Sequence, residues 1–493
     1  MKRCFTCLLL LLLLLLAACE KNAPCTTHAD ADNDLFCDVC QQTVLILVDF
    51  YGINDLHGKF ADTDSNPGVD ELTTFLRTMQ ANDDHAILLS SGDMWQGSSE
   101  SNLTGGKIIT HWMNELDFAA MTLGNHEFDW GESCVEENAA VAEFPMLAIN
   151  IYDRETDALV SYCQPSVVVD LGAIQVGIIG AIGDCYSSIA PDQVEGIYFK
   201  TGRELTALVK AESQRLRENG VDLVIYSLHD GFDSPSGSYI ANNQLASYYD
   251  ISLSDGYVDL VFEGHTHQRY QLQDEYGVYH IQGGGDNNGI THVELAYNTV
   301  TEDFFITDSS LIQSSVYDDL PDDPLIKELL SYYEEEISLG REVLGYNAYY
   351  RSSEDLCHIV AELYLDAGIE KWAMDYDIVL AGGFFNVRSP YKLAAGDVTY
   401  GDLQMLFPFD NELVLCSIRG SDLLRRFINT DNDRYYICRS DYRQIDPDAI
   451  YYIVVDSYTS AYGPNRLTEV ARYGADIYAR DLLAEYVVAG KME

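Results

Sequence analysis

The chain has 493 residues, enough for two or three domains, and its 47% hydrophobic and 11% aromatic content is that of a globular protein. With 29 Lys+Arg against 79 Asp+Glu it carries a net charge of −50. A surface that acidic repels phosphate backbones and anionic bilayers, which argues against nucleic-acid polymers as partners and demands local cations wherever an anion is bound.

The first 19 residues read as a targeting segment. "MKRCFTC" is a basic start, the leucine run after it is too short to span as a mature helix, and "LAAC" puts small residues ahead of Cys19. This resembles a bacterial lipoprotein signal, with Cys19 as the lipidation site and new N-terminus. Secretory cleavage after Ala18 is the alternative. The expected product is an exported cell-envelope protein, held to its membrane by a lipid anchor. No second apolar run approaches the ~20 residues that span a bilayer. Of 12 cysteines, Cys4, Cys7 and Cys19 belong to this leader, so an odd number remains and cannot all pair internally.

Residues 20–42 form an acidic, cysteine-containing tether. Cys25, His28, Cys37 and Cys40 offer a zinc set. Asp30, Asp32 and Asp34 alternate as in a small calcium loop, with Asp38 after them, although Leu35 stands where a glycine is usual. Local disulfides and a plain solvated tether are further readings.

Residues 43–320 alternate strands with helices. "TVLILVDFYG" is a near-continuous apolar run, as in a strand buried on both faces. "VDELTTFLRTMQ" is a helix, with Leu72, Phe75, Leu76 and Met79 on one face. "HAILLSSGD", "FAAMTLGNHE", "PMLAIN", "VDLVIYSLHD" and "VDLVFEGHTH" are short apolar runs, several turning polar at their C-terminal ends, and "SVVVDL" with "IQVGIIGAIG" reads as a hairpin. A sandwich of mixed sheets with flanking helices fits this α/β pattern better than one doubly wound sheet. Residues 321–345 read as an acidic connecting helix with Pro321 and Pro324 at its start. Residues 346–493 read as a second, smaller α/β unit. No internal repeat is visible.

In open α/β sheets, ligands gather beyond the carboxyl ends of strands. There lie Asp55 and His57 ("NDLHG"), Asp93 ("SGD"), Asn125 and His126 ("GNHE"), His229 ("SLHDG"), and His265 and His267 ("GHTH"). One histidine in such a place is usually an ordinary surface or core residue. These are five of the chain's 11, interleaved with carboxylates and an amide. Imidazole, carboxylate and amide oxygen without thiolate suit Zn, Mn or Fe. The ligands outnumber what one ion uses, so the expectation is two divalent metal ions ~3.5–4 Å apart sharing a carboxylate. Such a pair would also let an anion approach an acidic protein.

The ordered set "NDLHG", "GD", "GNHEFD", "LHDG" and "GHTH" resembles the calcineurin-like metallophosphoesterase domain. With the second unit, the chain resembles the 5′-nucleotidase and UDP-sugar hydrolase family over nearly all its length from Thr43. The resemblance implies a four-layer α/β sandwich followed by a C-terminal substrate-binding domain. It implies one metal on Asp55, His57 and His267, a second on Asn125, His229 and His265, and Asp93 bridging them. His126 would face the phosphoryl group, oriented by Asp129, and the pair would be catalytic; Glu127 is assigned no role.

In the C-terminal unit "RSSE" matches the family's Arg and Glu with Arg351 and Glu354. "AGGFFNVRSP" matches its glycine-rich loop with Gly383 and Arg388, although Ala381 replaces an Asn and the loop is two residues longer. Phe409 in "FPFD" matches one base-stacking ring and Tyr458 in "DSYTSAYG" the other; as plain residues, both are equally core aromatics of a tyrosine-rich chain. "AYGPNRL" stands where the family has Gly-Gly-Asp-Gly-Tyr, so the expected change is in nucleoside recognition. The implied activity is release of phosphate from nucleoside 5′-monophosphates by metal-activated water. Hydrolysis of 2′,3′-cyclic nucleotides or UDP-sugars on the same centre is the alternative, and a non-catalytic nucleotide-binding lipoprotein is the reading from another class. The implied ligand is a nucleotide or other phosphate ester, and nothing marks an obligate protein partner.

Overall fold

The computed structural model describes residues 37–40, 44–60, 68–231, 256–274, 277–299, 301–382, 392–428, 436–438, 445–462, 467–474 and 478–492. The expected lipidation site Cys19, most of the tether with its cation-binding candidates, and the loop residues Gly383 and Arg388 lie outside them.

The N-terminal unit is a sandwich of two six-stranded mixed sheets. The first runs Phe304–Gln313, Gly289–Asn298, Leu45–Ile53, Ala86–Ser90, Ala120–Thr122, Met146–Leu147. The strand at Leu45–Ile53 pairs antiparallel with Gly289–Asn298 on one side and parallel with Ala86–Ser90 on the other. The second sheet runs Arg269–Gln273, Tyr279–Gly283, Leu260–Glu263, Leu223–His229, Gln175–Ile182, Ser166–Asp170, ending in the antiparallel hairpin that "SVVVDL" and "IQVGIIGAIG" suggested.

Alternation within each strand decides what each face buries. Ile46, Val48 and Phe50 point between the sheets, onto Val176, Ile178, Ile225 and Phe262, and the Phe50 and Phe262 rings lie 6.1 Å apart. Tyr51 and Ile53 turn outward against helix Asp70–Asn82 and helix Lys107–Asn114. The outer face of the second sheet is covered by helix Arg203–Glu218 through Leu205, Val209 and Leu216. The result is helix, sheet, sheet, helix, with the parallel strands ending along one rim.

The second unit is built on a five-stranded sheet in the order Tyr436–Cys438, Ile378–Gly382, Ile450–Asp456, Leu413–Arg419, Thr468–Arg472. Helix Ser353–Trp372 packs on it with Leu356, Val360 and Tyr364 fully buried. Its start is fixed by a capping box, Ser352 with Asp355.

Between the units the structure departs from the single helix expected over 321–345. Helix Pro324–Tyr332, N-capped by Asp323, is interrupted at Tyr333; a one-turn α-helix Glu334–Ile337 and a 3₁₀ turn Ser338–Arg341 follow, then strand Val343–Asn347. At the break Tyr333 has φ −97° and ψ 16°; it is buried, and its hydroxyl lies 3.0 Å from His111 Nδ1 of the first unit. The units also meet where Asn102 Nδ2 donates to Gln404 O (3.2 Å) and Trp130 Nε1 to Pro408 O (3.3 Å). No helix among the described residues is long and apolar enough to cross a membrane.

Candidate metal centre and adjoining cavity

Each strand that ends on the common rim delivers polar residues within three positions of its last residue: Asp55 after Ile53, Asp93 after Ser90, Asn125 after Thr122, and His265 after Glu263, while His229 is itself a strand end. The loops are zipped together by backbone bonds, Asp55 N to Gly92 O (2.9 Å) and His57 N to Asp93 O (3.1 Å). Asp55, His57, Asp93, His265 and His267 all have left-handed backbone, φ from 50° to 70°. That is uncommon for residues with a Cβ, each costing about 1–3 kcal/mol, and it clusters where function over-determines geometry. Gly97 and Gly124 permit close approaches: a Cβ would fall on His57 O at the first and on Asp93 Oδ1 at the second.

All seven expected metal ligands converge. Ligand atoms of Asp55, His57 and His267 lie within 4.8 Å of one another, as do those of Asp55, Asp93 and His229. His229 Nε2 is 3.0 Å from Asp93 Oδ2 and 3.3 Å from Asn125 Oδ1, and the rings of His229 and His265 lie 5.5 Å apart.

The hydrogen bonds around this cluster fit cations. His229 Nδ1 faces the Ser91 carbonyl at 2.6 Å, so it carries a proton, and a bound cation would take the other nitrogen, Nε2, which is turned towards Asp93 and Asn125. Asp93 Oδ2 is buried, and the group facing it is His229 Nε2 at 3.0 Å. His57 repeats the pattern: Nδ1 faces Gln96 O (3.0 Å), and Nε2 faces His267 Nε2 (3.0 Å). Two groups of ligand atoms converge inward on carboxylates, and such a cluster calls for positive charge between them. The ionisation of the bare cluster tells the same story. Burial alone would raise the Asp93 carboxyl, but His229, His126 and His57 outweigh it and hold it well below the usual range. Burial would lower His229, yet Asp93 and Asp55 push it up to about 10, while burial and the repulsion of His229 bring His265 down to about 4. The donor set of imidazole, carboxylate and amide suits borderline divalent ions.

His126 stands beside the cluster, its ring 5.0 Å from that of His57. Its backbone N–H donates to Asp93 Oδ1 (2.8 Å), and its Nδ1 is 2.7 Å from Asp129 Oδ2. Nδ1 is thus the nitrogen held by a carboxylate. A cavity of about 350 Å³ opens from this point between the two units, lined by Asn125, His126, Asp129 and His265 on one side and Phe409, Asp410, Asn411, Ser457 and Tyr458 on the other. The Phe409 ring stacks on His126 at 6.0 Å and 24°. Arg351 is not part of this lining; its Nε donates to Asn347 (3.3 Å) and its backbone bridges Leu393.

Three supporting residues were not singled out by sequence reasoning. Glu127 is fully buried and its carboxylate accepts from the backbone N–H of Asp93 (2.9 Å), Met94 (2.8 Å), Trp95 (3.4 Å) and Gly124 (2.7 Å), tying two ligand loops together. Burial and the nearby Asp93 charge push it up to about 7. Gln282 holds the "GHTH" loop through Gly264 O (2.7 Å), Thr266 Oγ1 (2.9 Å) and Gln268 N (2.8 Å). Asn54 Nδ2 donates to Asp55 Oδ2 (2.7 Å). Glu127 and Asn54 sit inside quoted motifs, so adjacency was a signal; Gln282 has none, being a strand residue that reaches a loop. Cys134, Cys163, Cys185 and Cys416 are thiols, with no disulfide formed among the described residues.

The sequence profile of the calcineurin-like phosphoesterase family matches residues 49–269, and that of the 5′-nucleotidase C-terminal domain matches residues 345–437. Over 416 residues the chain is 26% identical to an apyrase of Tabanus yao, covering 76% of this chain and 72% of that protein. It is 25% identical over 417 residues to the protein UshA of Yersinia enterocolitica, covering 75% and 74%. A putative 5′-nucleotidase of Staphylococcus aureus superposes with a TM-score of 0.70 over 90% of this chain and 96% of that one, at 17% identity. A 5′-nucleotidase precursor of Thermus thermophilus does so with a TM-score of 0.68 over 90% and 97%, also at 17%. At such identity, the structural likeness speaks to fold.

Proposed function

From the premise that this chain belongs to the calcineurin-like phosphoesterases that carry a 5′-nucleotidase C-terminal domain, a family of metal-dependent phosphoester hydrolases, we propose that it is an exported, lipid-anchored 5′-nucleotidase with two divalent ions. Asp55, His57 and His267 would hold one ion and Asn125, His229 and His265 the other, with Asp93 available to both. Bound there, divalent ions would neutralise phosphoryl charge and supply an acidified water as nucleophile. His126 Nε2 donates to the phosphoryl or leaving oxygen, and Asp129 fixes the tautomer and stabilises the ring when it is charged. Phe409 and Tyr458 take the base between two rings, a contact every base can make. The expected domain limits are 43–320 and 346–493, and the anchor is Cys19.

The observation that carries this reading is a single cavity with the His126–Asp129 pair on one wall and Phe409 and Tyr458 on the other. A second reading, cleavage of diesters such as UDP-sugars or 2′,3′-cyclic nucleotides, is favoured by a further open cleft of about 640 Å³ that shares Asp192 and Ser457 with the cavity and leaves room for a larger leaving group. Phosphate release from AMP, UMP, UDP-glucose, 2′,3′-cyclic AMP (with a coupling phosphatase) and an aryl phosphate, in Mn or Zn, tests both. Fast release from AMP or UMP supports the first reading. Turnover of the diesters alone supports the second, and turnover of the aryl phosphate alone refutes both.

A further inference from the structure

The cavity is lined by three carboxylates, Asp129, Asp192 and Asp410, in a chain of net charge −50, although on the reading above it receives an anion. Each has a basic neighbour. His126 Nδ1 lies 2.7 Å from Asp129, Arg472 Nη1 3.9 Å from Asp192, and Arg480 Nη2 2.7 Å from Asp410. Arg480 differs from the others in being buried: its side chain is 8% exposed.

Arg480 lies in the first turn of helix Ala479–Val488 and reaches back to the segment that ends helix Tyr400–Leu406. Nη1 donates to Phe407 O (3.0 Å) and Gln404 Oε1 (3.3 Å), and Nη2 donates to Asp410 Oδ1 (2.7 Å). One planar guanidinium thus bonds residues on both sides of Phe409, the ring that stacks over His126. A lysine carries the charge on one nitrogen and lacks the planar fork that here puts Nη1 on one side and Nη2 on the other.

We infer that Arg480 is a positioning residue for nucleoside recognition: it fixes the Phe407–Asp410 turn so that Phe409 faces the cavity, and it cancels the Asp410 charge beside the incoming phosphate ester. The inference rests on the nucleotide reading of the cavity. Arg480 touches neither the metal ligands nor His126, so its removal should change which substrates bind and leave the chemistry in place.

The test is steady-state kinetics of the full metal-loaded chain in detergent, with AMP and a simple aryl phosphate, for wild type, R480M, R480K and R480M/D410N. R480M is expected to raise KM for AMP at least tenfold with kcat within threefold, and to leave the aryl phosphate parameters within twofold. R480K should fall between R480M and wild type, and R480M/D410N should recover less than half of the loss, since charge is removed but the turn is unheld. An unchanged AMP KM in R480M, or an equal loss on both substrates, overturns the inference. Full recovery in the double variant overturns the positioning claim. Should R480M fail to fold, R480K decides: an AMP KM equal to wild type refutes the role of the fork. A wild type that handles AMP no better than the aryl phosphate refutes the nucleotide reading itself, and the inference with it, before any variant is made.

Discussion

Glutamine in place of Glu127 keeps the side chain's shape and should still be strongly destabilising. The wild-type carboxylate accepts four backbone N–H groups, two on each oxygen: Met94 (2.8 Å) and Trp95 (3.4 Å) on Oε1, Asp93 (2.9 Å) and Gly124 (2.7 Å) on Oε2. An amide can present oxygen to only one of these pairs; its NH₂ must face the other, donor against donor. The better orientation keeps Asp93 and Gly124 and orphans Met94, with the long Trp95 contact. A buried orphaned donor costs roughly 1–3 kcal/mol, and the surviving bonds weaken from charge-assisted to neutral. Relief from burying a charge beside Asp93, which pushes Glu127 up to about 7, returns part of this. A net loss of about 2–4 kcal/mol follows, a large share of the ~5–15 kcal/mol that holds a typical domain folded. The same bonds hold the left-handed backbone of Asp93, φ 55°, so metal binding should weaken at least tenfold. Urea unfolding of the chelated protein gives the first quantity and metal titration with elemental analysis the second. An E127Q protein with the wild-type midpoint and slope and undiminished metal content would show that these bonds do not carry the loop, and the reasoning would fail.

Substituting His126 by Ala should lower kcat by about 10²–10⁴ while metal content stays at the wild-type value; near-normal turnover would remove it from the mechanism. The double variant F409A/Y458A should raise KM for AMP about tenfold or more with little change for an aryl phosphate, a split visible in parallel kinetics. Chelation should abolish activity and lower the melting temperature, because an ion that binds only the folded state stabilises it by about 2.7 kcal/mol at 100 times its Kd; an unchanged melting curve would count against preformed sites. Burial would lower His280, but Glu263 and Asp274 raise it from 6.5 to about 9. A folded pKa above the unfolded one adds stability that is complete below pH 6.5 and disappears as pH rises through 9, on the order of 3 kcal/mol in all. Unfolding measured from pH 6 to 10 should show that fall in wild type and a flatter profile in H280Q.

Much of the metal centre was legible because its logic is local. A short apolar run that ends in Asp, Asn or His is a strand with polar groups at its carboxyl end; that pattern named Asp55, His57, Asp93, Asn125, His126, His229, His265 and His267, the family resemblance set His126 apart from the seven ligands, and the fold brings them together. The two-sheet sandwich was legible for the same reason: buried strands of near-continuous apolar residues and one hairpin with a glycine turn do not need distant partners to be recognised. The connecting segment was not. It reads as one helix, whereas the chain kinks at Tyr333, a buried residue packed against His111 of the first unit.

What the sequence determined by itself is therefore the set of groups that meet at the strand ends, because strand polarity and side-chain alternation are written in neighbouring residues. What only the tertiary structure decided is how those groups are held and what faces them. Glu127 binds a loop 32 to 34 residues upstream, at Asp93, Met94 and Trp95. Arg480 fixes a turn 70 to 76 residues away. Phe409 lies over His126 because two units meet there. Arg351, although its motif was readable, stays outside the cavity lining. Hydrogen bonds and ring contacts of this kind depend on distances across the fold, and no local pattern of residues records them.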